Sequence, residues 1–275
     1  MWDRIEPLML ADPVRGRRWA DHRRNLEAIA WKYRTNSPWR DLPDELGSFQ
    51  TAHKRLIRWA VDGTWEMILA AVLAAADADD DIDWTVSVDS TVVRAHQHAA
   101  GALKRGRPPA ASPDHALGRS RGGLSTKVHP AADGRARPLA FAVTAGQAGD
   151  APAFETVMSR IRVPRRGPGR PRTRPLAVLA DRAYSSRAIR SHLRRRGIRA
   201  VIPQPSDQVG HRLSRGRLGG RPPGFDSEAY KQRNSVERCI NRLKQWRGLA
   251  TRTDKLAIAY QAALHLAGIL IWTRR

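Results

Sequence analysis

Two short apolar runs, each closed by an aspartate, constrain this chain most. Trp84-Thr-Val-Ser-Val88 and Leu176-Ala-Val-Leu-Ala180 have the length and composition of strands, and Asp89 and Asp181 follow them directly. Leu124–His129 and Pro138–Thr144 flank an Asp133-Gly134 turn and read as a hairpin. Helical patterns fill the gaps: Ala151–Ile161, then a helix opened by Ser185 or Ser186, running to Arg196 and stopped by Gly197. Arg199–Ile202 is a fifth strand, ended by Pro203. Ser90–His98 follows the first run, and its His96 and His98 read as part of a polar helix or loop. A meander followed by strand–helix alternation predicts a mixed α/β sheet covered by helices.

The region before the first run is all helical in pattern. Arg18–Thr35 is amphipathic. Ser37-Pro-Trp-Arg-Asp-Leu-Pro43 breaks it, Ser48 can cap Phe49–Val61, and Thr64 can cap Trp65–Ala76. Lys54, Arg55 and Arg58 fall on the outer face of the middle helix, so the three helices suit a helix-turn-helix-like module that touches DNA. The expected organisation is a helical DNA-binding domain at 1–76, an acidic solvated linker at 77–83 and a catalytic domain at 84–275. Basic loops are expected at 99–123, 162–175 and 204–227.

Charge narrows the partner. Lys and Arg number 49 against 26 Asp and Glu, a formal net charge of +23, which points to a polyanion and first to nucleic acid. One cysteine, Cys239, excludes an internal disulfide and zinc clusters. His96 and His98 have no further ligand at zinc spacing. The runs Met67–Ala76 and Leu256–Trp272 are too short or too interrupted to span a bilayer, and the N-terminus lacks a signal-peptide core. The expectation is a cytoplasmic, nucleoid-associated protein with no membrane partner.

Tyr230–Arg247 contains neither proline nor glycine and is expected as one helix, followed by an amphipathic helix over Asp254–Trp272. At roughly 100° per residue, Tyr230, Arg233, Glu237 and Lys244 share one arc of roughly 60°, beside an apolar stripe of Val236, Cys239, Ile240 and Leu243. Carboxylates at the ends of adjacent strands open into one crevice, and Glu237 on a covering helix can complete the set. Three hard oxygen ligands suit Mg²⁺, and two such ions can activate an attacking oxygen and stabilise a leaving one. Each aspartate alone also suits a turn or helix cap.

These residues carry a resemblance. The spacing Tyr230, Arg233, Glu237, Lys244 resembles the C-terminal signature of bacterial insertion-sequence DDE transposases of the family-five type. Val88-Asp-Ser-Thr-Val-Val-Arg-Ala-His-Gln-His98 and Ala180-Asp-Arg-Ala-Tyr-Ser185 resemble that family's first and second catalytic aspartate regions, with Ala183 where the family carries glycine. The resemblance implies a ribonuclease-H-like catalytic domain. It also implies binding to the terminal inverted repeats of the element, hydrolysis of DNA at the ends and strand transfer to target DNA. Asp89, Asp181 and Glu237 would hold two Mg²⁺ ions, with Mn²⁺ able to substitute. Tyr230, Arg233 and Lys244 would contact DNA near the scissile bond. Synapsis of two ends implies at least a dimer on double-stranded DNA. The alternatives are a non-catalytic DNA-binding derivative of a transposase and another two-metal nuclease on the same fold.

Overall fold

The computed structural model describes residues 1–12, 18–101 and 115–274. Helices lead the chain: α1 (Trp2–Ile5), α2 (His22–Thr35), α3 (Phe49–Val61) and α4 (Thr64–Ala78). The Asp21 carboxylate accepts the Arg24 N–H and caps α2, while Gly63, at φ +79, provides the left-handed turn into α4. Next come β1 (Thr85–Val88), β2 (Thr91–Ala95), α5 (Gln97–Ala100), β3 (Gly118–Ser120), β4 (Gly123–Ala132) and β5 (Pro138–Ala145). Then α6 (Asp150–Arg160), β6 (Ala177–Leu179), α7 (Arg187–Arg195) and β7 (Arg199–Val201) alternate. The chain ends with α8 (Ser206–Ser214), α9 (Ser227–Lys231), α10 (Asn234–Lys244), α11 (Arg247–Ala250), β8 (Thr251–Arg252) and α12 (Ala257–Thr273).

β1 and β2 are two halves of one strand. Val88 lies opposite Ala131 of β4 and Thr91 opposite Val128, so a single antiparallel register runs across Asp89 and Ser90. That register sets Pro130 opposite Asp89. Proline has no N–H to donate, and the ladder lapses there. The principal path across the sheet is β5, β4, the β1/β2 strand, β6 and β7, the first three antiparallel and the last two parallel. This is the ribonuclease-H-like arrangement. β3 adds to β4, and β8 pairs in parallel with β2.

Several expectations change here. The 77–83 stretch is solvated only in part, at residues 78–80. Asp81 is buried and paired with Arg137 at 2.8 Å and with Arg135. Ile82 is buried, and Asp77 accepts from the Trp84 indole at 2.9 Å. The buried Arg137 is what draws Asp81 inward. The 204–227 segment is not only loop, since it contains α8, and 162–175 is closed by a bridge between Val163 and Arg172. Residues 102–114 of the first basic loop lie outside the described residues. Ser90–His98 contains strand β2, whose β-branched residues gain pairing partners only in the sheet.

The N-terminal helices are not closed on themselves. α12 packs along α3 and α4 and against β5, and one buried cluster runs from Leu26 and Trp59 through Phe141 and Val178 to Leu266. The segment is helical as expected, but α4 buries Trp65, Ile68, Leu69, Val72 and Leu73 in that core. No single helix among the described residues is long and apolar enough to cross a membrane.

Candidate active site at the strand ends

β1 and β6 run parallel with Ser87 opposite Leu179. Two residues further on, both chains reach an aspartate, so Asp89 and Asp181 emerge side by side from the same end of the sheet. Alternation along the strand divides the neighbours. Asp89 turns toward α10, where Arg233 donates to its Oδ2 at 2.6 Å. Ser90 turns the other way and donates to Asp150 Oδ1 at 2.6 Å, at the start of α6. Asp150 also accepts from Lys127 Nζ of β4 at 3.0 Å. The Ser90 N–H closes on Asp89 Oδ1 at 2.7 Å.

The expected single helix over Tyr230–Arg247 is broken. Residues 232 and 233 form a turn between α9 and α10, and Arg233 occupies the N-cap position of α10. Arg233 keeps its i,i+4 contact with Glu237 at the break. Its guanidinium spans two carboxylates, Asp89 and Glu237, the latter at 2.7 Å. Tyr230 goes elsewhere: it packs on Phe225, with ring centroids 5.3 Å apart, and against Ala177, Leu179 and Val201. Lys244 lies over β2, its ammonium 3.5 Å from the Val92 carbonyl. The apolar stripe of α10 is buried as expected, and the Ser235 hydroxyl donates to the Ser87 hydroxyl at 2.9 Å, seating α10 on β1.

Burial raises the Asp89 carboxyl above its ordinary range. The Ser90 N–H and Arg233 oppose that rise, while Asp181 and Asp150 add to it. Burial pushes the other way on Asp150 too, but the Ser90 hydroxyl and the Lys127 ammonium hold its carboxyl below the usual range. The Tyr184 hydroxyl is buried without a partner among the described residues. Burial and the fields of Asp150, Asp89 and Asp181 raise its pKa, so it stays neutral. Ser90, Lys127, Asp150 and Tyr184 were not singled out by sequence. Tyr184 lies inside the Asp-Arg-Ala-Tyr segment, whereas Asp150 looks like an ordinary residue at a helix start.

Mutually repelling, part-buried carboxylates around a partnerless hydroxyl form a donor set that fits a hard divalent cation. The fit is incomplete. Among the described residues no three His, Cys, Asp or Glu side chains stand close enough to hold one ion. Glu237 is half exposed and turned to Arg233. His96 and His98 make a local turn, with His96 Nδ1 capping α5 by accepting the His98 N–H at 3.3 Å.

The predicted DNA face of α3 is partly used up. Lys54 and Arg58 are exposed, but Arg55 is only 6% exposed. Its guanidinium lies over Trp19 and Trp59 and meets His22 Nδ1 at 2.8 Å. Arg55 is therefore a packing residue rather than a free phosphate contact. The α3 helix rotates it inward to satisfy two indole faces.

A ribonuclease-H-like sheet with aspartates at the ends of its two central parallel strands is the class that this fold and site define. Residues 81–272 match the family described as "Transposase DDE domain", and residues 1–69 match "Putative transposase of IS4/5 family (DUF4096)". The chain belongs to the DDE transposase family. Over 151 residues, 55% of this chain and 100% of the relative, it is 28% identical to "Putative transposase for insertion sequence element IS6501" of Brucella ovis. It is 39% identical over 114 residues to "Uncharacterized protein y4sN" of Sinorhizobium fredii, 40% of this chain and 86% of that one. Superposition on the Mos1 strand transfer complex covers 94% of this chain and 79% of that chain at 13% identity. The TM-score is 0.28.

Proposed function

We propose that this DNA transposase binds the inverted repeats of its own element, hydrolyses a phosphodiester at each end and joins the freed 3′-hydroxyl to target DNA. Asp89, Asp181 and Glu237 are the residues that would hold the divalent cations, Mg²⁺ or Mn²⁺. The observation that supports this reading is the parallel register of β1 and β6, with Asp89 and Asp181 each two residues past the Ser87–Leu179 pair. When bound, two such ions activate an attacking oxygen and stabilise the leaving one.

The chain's own residues prepare that site. Ser87 and Ser235 fix α10 over β1. The Ser90 N–H orients the Asp89 carboxylate. Arg233 holds Asp89 and Glu237 at one guanidinium, keeping two carboxylates near each other that would otherwise repel. Moved onto a phosphate, the same fork neutralises substrate charge. Lys54 and Arg58 of α3 add phosphate contacts, and capture of two ends calls for at least two copies on DNA.

Asp89→Asn, Asp181→Asn and Glu237→Gln should each abolish Mg²⁺-dependent nicking of DNA carrying the element end, measured on denaturing gels. Binding of the same DNA in gel shift should persist. Nicking that survives all three single changes defeats the assignment.

A further inference from the structure

Behind the second aspartate lies a groove that no step above uses. It has a volume of about 710 Å³ and runs between α7 and the α8 segment, with Arg187, Arg194, Arg212, Arg215 and Arg221 along its walls. No aspartate or glutamate lines it. None of those five side chains has an ion-pair or hydrogen-bond partner among the described residues, and Arg212 Nε is buried without an acceptor. Arg190 is different: it donates to the Ser185 and Ile202 carbonyls and holds the wall together. Five guanidinium groups gather around one concavity, and among the described residues no carboxylate lines it. Such a concavity attracts a polyanion.

The two walls have different origins. α7 is anchored in the core by Ile189 and Leu193. α8 buries no residue at all. It is tied across by Gln208, whose amide donates to the buried Ser185 hydroxyl at 2.9 Å. A helix that adds nothing to the core but carries cations into a groove is built for surface contact. Ser185, on the groove wall, stands four residues after Asp181 in the chain.

We propose that the α7–α8 groove binds the phosphate backbone of the DNA being processed, alongside the strand-end carboxylates. This rests on the transposase reading above and adds a second DNA contact surface to it. Guanidinium forks match phosphate geometry, and each contact releases counterions.

The test uses the full-length chain and two short labelled duplexes, one carrying the inverted repeat that flanks the gene and one of random sequence. Binding is followed by anisotropy over a salt series. Combined Arg187→Gln, Arg212→Gln and Arg215→Gln should lower the slope of log affinity against log salt by roughly 2–3, about one per lost phosphate contact. Arg215→Glu alone should shift it in the same direction. Thermal melting should hold, because α8 buries nothing. Loss on the inverted-repeat duplex alone assigns the groove to the element end, and equal loss on both assigns it to any duplex, target DNA included. A wild-type chain that binds with an unchanged slope in the variants overturns the groove while leaving the transposase reading intact. A wild-type chain that binds neither duplex overturns both.

Discussion

Arg233 is the residue on which the site turns. A lysine ammonium can face one carboxylate at a time, whereas the guanidinium fork meets Asp89 and Glu237 together. Arg233→Lys should therefore keep the fold, with melting shifted by no more than a few degrees, yet cut nicking at least about tenfold, a cost of roughly 1.4 kcal/mol in the transition state. Activity equal to wild type in Arg233→Lys would show that the two-carboxylate bridge does not matter. Much of this was legible: the spacing of Arg233 and Glu237 is helical, and Asp89 closes a strand pattern. The pairing of Arg233 with Asp89 was not, because 144 residues separate them and only the sheet brings them together.

At the scale of elements, α11 lies tight against α2. A Cβ on Gly248 would stand 2.9 Å from Tyr33 Cδ1 and 3.0 Å from the Tyr33 carbonyl oxygen. Tyr33 is fully buried, with its hydroxyl donating to Asp254 Oδ1 at 2.9 Å, so it has no room to yield. Gly248→Ala should destabilise the protein by about 1–3 kcal/mol, seen as a lower midpoint in denaturant titration. An unchanged midpoint would show that α2 can slide away from the strand-end domain. The glycine was visible in the sequence, but not its reason. The break between α9 and α10 was equally hidden: residues 230–247 hold no helix breaker, and across the turn at 232–233 Tyr230 and Arg233 meet different partners.

Across the whole molecule, one core joins the N-terminal helices to the sheet through α12, and acid should loosen it. His265 of α12 is buried against Phe141, and burial, with Arg160 adding to it, lowers its pKa to about 4. The imidazole is thus neutral at pH 7, and its 3.3 Å approach to Glu66 is not an ion pair there. Burial lowers His129 to about 4 as well, with Lys127 pushing the same way and Asp150 opposing. A depressed folded pKa means that the unfolded chain takes the proton first. The stability is fully present above about 6.5 and is lost as pH falls through about 4, by at most about 3 kcal/mol for each histidine. Melting temperature should fall across that window, and His265→Gln should flatten the fall. A melting temperature flat from pH 7 to 4 would contradict the buried neutral state. By itself the sequence determined the mixed sheet, its covering helices, the basic character and the three acidic candidates, because periodicity, strand composition and charge are local properties of the chain. Tertiary structure alone decided that β1 and β2 share one register past Pro130, that Arg55 and Asp81 are buried, and that Arg233 reaches back to Asp89. Those outcomes depend on which distant segment supplies the missing hydrogen bond or counter-charge, and no local pattern records that.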